Sequence, residues 1–233
     1  MNKKTLTLTL CILVVLTGCS LQKDISFGIK DNKSQSAATG NVEVNTLPMY
    51  GGMDKTESID EFKKLGNQRF VESKNTVELG WQYYNQKDFD TAMKRFNQAW
   101  MLDQENPDVF WGFGIISAEK GNIDDAIKYL KMAYQLGPKN SEIAYNLGYM
   151  HSQKSYASNL SKTDKDFNLN EAIKYFEQAT LINPKVDYYY GEWASALYEL
   201  GQYEASLKKV ELAEMYGKGD PVFRKMVEEK IKK

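Results

Sequence analysis

The side chains that could do chemistry in this chain are few and scattered. There is a single histidine, His151, and no second histidine that could share a metal ion or a proton with it. The sequence also lacks a glycine-rich phosphate loop and a nucleophile elbow around a serine. Acidic residues are plentiful, but they are spread over helix faces that are expected to be solvated. His151 is therefore predicted to be a packing residue, and the chain is predicted not to be an enzyme.

One acidic stretch, Asp164-Lys-Asp-Phe-Asn168, begins like a calcium-binding loop. Such a loop needs a glycine at its sixth position and a closing acid at its twelfth. Those positions hold Leu169 and Tyr175. No calcium site is expected, and the sequence predicts no metal and no cofactor.

Both cysteines of the chain lie close to its N-terminus. Two lysines, Lys3 and Lys4, precede the apolar run 6–16, which is too short to span a bilayer. The run ends in Leu16-Thr17-Gly18-Cys19, which resembles the lipobox of bacterial lipoprotein precursors. The resemblance implies that residues 1–18 are a signal peptide and that Cys19 becomes the lipidated first residue. An ordinary signal peptide with a chance cysteine is the alternative.

The same resemblance implies a location. Several acyl chains on one cysteine suffice for stable anchoring, whereas one chain is marginal. An aspartate after the cysteine resembles an inner-membrane retention signal, so Ser20 favours the outer membrane, with the chain facing the periplasm. Loss of Cys11 with the signal leaves no free thiol, which excludes disulfides and zinc–thiolate sites. The 30 basic and 31 acidic residues of the whole chain give no sign of a nucleic-acid partner.

Residues 19–56 are predicted to form the lipidated cysteine and a flexible tether. The stretch shows no helical or alternating periodicity and is rich in Ser, Asn, Lys, Asp and Gly. A flexible chain of this length has an r.m.s. reach of roughly 35 Å. A short strand or a docked segment at Val42–Met49 is the alternative.

A repeated pattern of small and aromatic residues organises the rest of the chain. Its landmarks recur at a spacing of 34 residues: Gly80, Gly114 and Gly148, and Ala92 and Ala126. A period of this length is typical of a two-helix repeat, and the landmarks resemble those of the tetratricopeptide repeat. In the third copy Ala172 follows Gly148 by 24 residues, because twelve residues are inserted between its helices. A fourth, weaker copy contains Gly201 and Ala213.

The predicted fold is all-α. We expect a right-handed α-solenoid of about four helix pairs over residues 57–233, with a capping helix at each end. Ser58 and Glu61 fit a capping box at the start of the first of these helices. The repeats are placed at about 73–106, 107–140, 141–186 and 187–220, followed by a capping helix at 221–233. The polar insertion near 153–167 is interpreted as a longer turn in repeat three, either a binding rim or a mobile loop.

The resemblance further implies that the first helices of successive repeats line a concave groove. Tryptophan and tyrosine provide rigid area with a polar tip and are enriched at binding hot spots. The residues predicted to bind a partner there are Val77, Trp81, Tyr84, Trp111, Ile115, Tyr145, Tyr149, Tyr188 and Tyr198. The alternative is that some of these side chains pack between repeats. Chaperone-binding members of the family clamp a C-terminal carboxylate with Lys and Asn, whereas those positions are mostly aromatic here. An apolar or aromatic segment of a protein partner is therefore expected.

The predicted function is a membrane-anchored interaction scaffold or assembly factor with a protein partner and no small-molecule substrate. Two groups of lipoproteins resemble it in size and anchoring. Pilotins help a type IV pilus secretin to insert, and adaptors bring cell-wall hydrolases together. A cell-wall enzyme would instead need two carboxyl groups at a set distance in a cleft. A structural spacer would have no partner.

Overall fold

The computed structural model describes residues 43–217 and 219–233, which are largely helical. The signal peptide, Cys19 and the first part of the tether lie outside these residues. Two short 3₁₀ turns, η1 (Val44–Thr46) and η2 (Pro48–Gly52), precede the α-helices. These are α1 (Thr56–Lys63), α2 (Gln68–Asn85), α3 (Phe89–Leu102), α4 (Pro107–Glu119), α5 (Ile123–Leu136), α6 (Ser141–Ser155), α7 (Lys162–Ile182), α8 (Asp187–Glu199), α9 (Tyr203–Tyr216) and α10 (Pro221–Ile231). Within the described ranges, none of them combines the length and apolarity needed to cross a bilayer.

The helices pack as consecutive pairs. The partners are α2 with α3, α4 with α5, α6 with α7, and α8 with α9. The second helix of each pair also contacts the first helix of the next, and first helices contact one another between neighbouring pairs (α2 with α4, α6 with α8). This arrangement is that of an α-solenoid, which confirms the predicted fold class.

Glycines on the first helices make room for large side chains on the second. A Cβ atom on Gly80 would lie 2.7 Å from the ring of Phe96, and one on Gly148 would lie 2.9 Å from the ring of Phe176. A Cβ atom on Gly112, in the following repeat, would lie 2.6 Å from the same Phe96 ring. Phe96 and Phe176 are fully buried. The glycine landmarks of the 34-residue period are thus packing partners of large side chains on the second helices.

The C-terminal helix α10 begins as predicted. The Asp220 side chain accepts hydrogen bonds from the amides of Val222 and Phe223, and Pro221 is its first residue. Val227 is fully buried, whereas Met226, the preceding residue of α10, is exposed. Arg224 bonds to Glu214 and Glu228, which ties α10 to α9.

The N-terminal capping helix differs from the prediction. The capping box at Ser58 is wrong, because α1 begins at Thr56, whose amide donates to Asp54 Oδ1 at 2.9 Å. The chain then breaks at Gly66, which has a φ of +57°. A positive φ is costly for other residues, so glycine ends α1 here. The next helix, α2, runs without interruption from Gln68 through the predicted first helix of repeat one.

The last part of the predicted tether is docked rather than free. Asn97 of α3 is fully buried, and its Nδ2 donates to the carbonyls of Asn45 at 2.9 Å and Leu47 at 2.8 Å. Its Oδ1 accepts from the Tyr50 amide at 3.3 Å. One amide side chain therefore satisfies three backbone groups of the η1–η2 segment. The prediction of a flexible chain up to residue 56 is corrected in favour of its docked alternative.

The insertion in repeat three is mainly helix. Helix α6 extends to Ser155 and α7 starts at Lys162, which leaves only residues 156–161 outside the two helices. Ser161 caps α7 by accepting from the Asp164 amide. The added residues lengthen α7 to 21 residues, against 14 in α5. The interpretation as a long polar turn was wrong, since most of the insertion belongs to the end of α6 and the start of α7.

Candidate partner-binding surface

Three of the predicted groove residues lie in the core. Val77, Tyr84 and Ile115 are 5%, 4% and 7% exposed. The Tyr84 hydroxyl donates to Glu119 Oε1 at 2.7 Å, and burial, followed by that bond, raises its pKa. The assignment of these three side chains to a ligand-facing groove is corrected, because they pack between helices and offer a partner almost no surface.

Trp81 and Trp111 connect the first two repeats. Their ring centroids are 4.9 Å apart, and Trp81 also lies 5.1 Å from the ring of Phe96. Both tryptophans are partly buried. They therefore serve inter-repeat packing, which was the alternative for this group of rings.

Tyr198 lies near the C-terminal end of the solenoid. Its ring is 5.3 Å from Tyr203 and 5.6 Å from Phe223 of α10. The capping helix thus takes up part of the area that the sequence assigned to a partner.

The remaining tyrosines come together on α6 and α8. The Tyr145 ring lies 6.1 Å from Tyr149 and 4.9 Å from Tyr188, and it stacks on the fully buried Tyr189 at 5.1 Å. Tyr188 is 45% exposed, and Tyr145 and Tyr149 are partly buried. We call Tyr145, Tyr149 and Tyr188, with the adjacent Glu192, the tyrosine surface.

Hydrogen bonds fix the rim of this surface. The hydroxyl groups of Tyr188 and Tyr189 both donate to Oε1 of Glu142, the former at 2.9 Å. Ser141 also bonds to the Tyr189 hydroxyl. Repeat four is therefore tied to the start of repeat three by the same side chains that shape the surface.

Glu192 is the residue of this surface that the sequence did not single out. It lies one helical turn after Tyr188, so the two share a face of α8. The carboxylate is partly buried and makes no hydrogen bond or ion pair with any described residue. Burial raises the pKa of Glu192 to about 7. The spacing from Tyr188 was a usable signal, but acidic residues were all assigned to solvated faces.

His151 is 3% exposed and belongs to the packing of repeat three. Its Nδ1 lies 3.1 Å from Asn168 Oδ1, and its ring stacks on Tyr175. Asn168 donates its amide to the Asp164 carbonyl, which leaves Oδ1 to accept from the imidazole. Burial lowers the pKa of His151, and Nε2 has no partner among the described residues. This environment supports a neutral packing residue rather than a catalytic base.

Family comparisons identify the repeats in two places. Profiles described as tetratricopeptide repeat match residues 83–145 and residues 165–186. The first match runs from the end of α2 to the start of α6, and the second covers most of α7. No curated protein matches the chain in sequence.

Solved structures share the fold at low sequence identity. A thermophilic TPR protein of Thermus thermophilus superposes with a TM-score of 0.53 at 16% identity, covering 60% of this chain and 72% of that one. MamA gives 0.53 at 18% identity, covering 68% and 85%. The human IFIT1 dimer with m7Gppp-AAAA gives 0.52 at 18% identity, but this chain spans only 35% of it. At such low sequence identity, these structural similarities show a shared fold only. Over residues 83–145 and 165–186 this chain consists of tetratricopeptide repeats, arranged in an α-solenoid.

Proposed function

We propose that this chain is a membrane-anchored scaffold of the bacterial periplasm that binds a segment of another protein on its tyrosine surface. The observation that carries the proposal is the exposed Tyr188 ring, packed with Tyr145 between two first helices of the solenoid. Solenoids of this kind offer extended surfaces to partners, and clustered tyrosines are frequent binding hot spots. Support for the anchor comes from the sequence around Cys19.

Crosslinked pull-down of the native lipoprotein, followed by mass spectrometry, tests the binding role. Truncation of a hot-spot aromatic costs about 2 kcal/mol or more, roughly thirty-fold in affinity. Tyr188→Ala should therefore lose the captured partner and melt close to wild type. Tyr216→Ala, an exposed tyrosine outside the surface, is the control and should retain the partner. Unchanged capture by both Tyr188→Ala and Tyr149→Ala would overturn the proposal.

The captured protein also separates the subclasses. A secretin subunit would place the chain with the pilotins, and a cell-wall hydrolase would place it with the adaptors. If the native lipoprotein captures no other protein, the chain is a structural spacer.

The enzymatic alternative has less support. Solenoids of tetratricopeptide repeats are typically interaction scaffolds, and a wall hydrolase would need two carboxyl groups free to act on one bond. At the rim of the tyrosine surface Glu142 already accepts two tyrosine hydroxyls, and Glu192 is the one acidic side chain that we assign to the surface itself. This arrangement favours binding.

Lipid anchoring makes its own prediction. Because the thiol of Cys19 would carry the lipid, Cys19→Ser should give an uncleaved or soluble species. Fractionation of cells at high salt, with detection of the chain in membranes, measures this. A mature Cys19→Ser chain that still pellets with membranes would show that another feature holds it there.

A further inference from the structure

We propose that the tyrosine surface takes a basic side chain, lysine or arginine, from the bound protein segment, with Glu192 as its counter-charge. The inference rests on the proposed function and specifies the chemistry of the partner. It replaces the apolar or aromatic segment that the sequence predicted.

Helix register brings Glu192 beside the rings. Tyr149 follows Tyr145 by one turn on α6, and Glu192 follows Tyr188 by one turn on α8. The rings of Tyr145 and Tyr188 are 4.9 Å apart. Because α7 returns the chain between them, α6 and α8 run in the same direction, so the next residues along each helix are also neighbours. In agreement, burial and then the Glu192 carboxylate raise the pKa of Tyr149.

Among the described residues Glu192 has no charge partner, in contrast to Glu199 and Glu142. Glu199 on the same helix pairs with Lys165 at 2.9 Å, and Glu142 accepts tyrosine hydroxyls. Glu192 has neither kind of contact with a described residue. A partly buried carboxylate without a partner is unfavourable, whereas one that meets a cation and hydrogen-bonds to it is much less so. A bound cation would therefore stabilise the ionised form of Glu192, which burial disfavours in the free chain.

The surrounding rings favour the same sign of charge. Burial raises the pKa of Tyr145 and Tyr188, so their rings stay neutral at physiological pH. The faces of neutral aromatic rings attract the ammonium of lysine and the guanidinium of arginine. An acidic segment or a C-terminal carboxylate would be repelled by Glu192, and an apolar segment would bury its charge without balancing it. A basic side chain satisfies both the rings and the carboxylate.

Selection from a phage-displayed library of random dodecapeptides tests the inference, with the full chain immobilised in detergent micelles. Peptides that bind should share a lysine or arginine at a fixed position. In calorimetry with such a peptide, Glu192→Gln should weaken binding about tenfold or more. Glu199→Gln, the same change in a paired acid of α8, should alter it by less than about twofold. Replacing the basic residue of the peptide with alanine should weaken binding to wild type but hardly to Glu192→Gln.

Two failures are distinguishable. The first failure is that the selected peptides need Tyr188 but share no basic residue, or that they bind Glu192→Gln as well as wild type. This result would overturn the inference of a bound basic side chain and leave the proposed function standing. Recovery of no peptide that depends on Tyr188 would count against the proposed function and this inference together. Thermal melts of each variant at the calorimetric pH show whether lost binding reflects lost folding.

Discussion

At the scale of single residues, two titratable groups stand out because each lacks part of its hydrogen bonding: His151, which is buried, and Glu192, which is partly buried. His151 leaves Nε2 without a partner among the described residues, and Glu192 leaves a whole carboxylate. The histidine stacks on Tyr175 within the body of repeat three. The carboxylate borders the open tyrosine surface. Their locations explain why we assign packing to the first and binding to the second.

Glu192 should make the stability of the free protein depend on pH. Its folded-state pKa is raised to about 7 from an ordinary value of 4.5, so the folded chain favours the protonated form. The free-energy penalty for ionised Glu192 in the folded chain is absent below the unfolded-state pKa and complete above the folded-state pKa. Glu192→Gln should therefore raise the thermal midpoint more at pH 8 than at pH 4.5. Melting curves of wild type and variant across this range measure the difference.

Comparing the two proteins at each pH isolates Glu192 from His151. Burial lowers the pKa of His151, so its contribution is lost as pH falls below the unfolded value of about 6.5, opposite in direction to Glu192. That slope is common to wild type and Glu192→Gln and cancels in the difference. A constant difference in midpoint between pH 4.5 and pH 8 would mean that the Glu192 carboxylate is well solvated.

At the scale of helices, the insertion shows how a local signal can mislead. The stretch 156–166 is polar, which is typical of a loop, but helix α7 begins at Lys162 and its first apolar anchor is the buried Leu169. A short hydrogen-bonded cap at Ser161 and a contact between Asn168 and His151 hold the extension in place. The segment 156–165 contains this cap and is therefore part of the folded repeat, and its deletion would leave the start of α7 uncapped.

The cap at Ser161 gives a prediction of modest size. Ser161→Ala should destabilise the protein by about 1 kcal/mol, because the amide of Asp164 loses its acceptor. For a domain of this length that corresponds to roughly 2–4 °C in the thermal midpoint. Ser158→Ala changes an exposed serine of the same loop and should leave the midpoint unchanged. Equal midpoints for the two variants would show that the α7 extension frays in solution.

The sequence predicted the helices of the four repeats well because their signal is periodic. Gly80, Gly114 and Gly148 recur every 34 residues, and each must be small to admit the large side chain that faces it. The docked η1–η2 segment has no such signal. It is held by the side-chain amide of Asn97, which bonds to backbone groups some 50 positions earlier. Because every residue has a backbone carbonyl, residue types do not reveal which carbonyls will accept these bonds. Pairing of this kind is visible only in three dimensions.

The candidate site was predictable in part for a related reason. Aromatic residues on first helices were recognisable from the period, but whether a ring faces a partner or the next repeat depends on its neighbours. Trp81 meets Trp111 and Phe96, so it packs. Tyr188 makes edge contacts with the rings of Tyr145 and Tyr189, its hydroxyl bonds to Glu142, and the side chain remains exposed. The sequence alone does not contain that difference.

At the scale of the whole molecule, the buried residues fall into successive groups along the solenoid. One core cluster extends from Val77 through repeats one and two to Ile143, at the start of repeat three. A second, from Ala126 to Tyr175, joins repeats two and three, and another extends from Leu169 to Ala213 in repeats three and four. In solenoids each repeat contacts only its neighbours, so stability is a sum of local terms. A core mutation should then loosen its own part of the chain before the rest. The tyrosine surface, on α6 and α8, belongs to repeats three and four.

Paired core truncations test this organisation. Phe96 packs against Gly80 and Gly112, so Phe96→Ala should cost about 3–5 kcal/mol and act mainly on α2, α3 and α4. Phe176 occupies the equivalent position in repeat three, against Gly148. Hydrogen exchange followed by mass spectrometry should show lost protection in α2–α4 for Phe96→Ala and in α6–α8 for Phe176→Ala. Only the second variant should lose binding at the tyrosine surface at temperatures below global unfolding. Uniform loss of protection in both variants would mean that the described helices unfold as one cooperative unit, and that a ligand on repeats three and four stabilises repeat one as well.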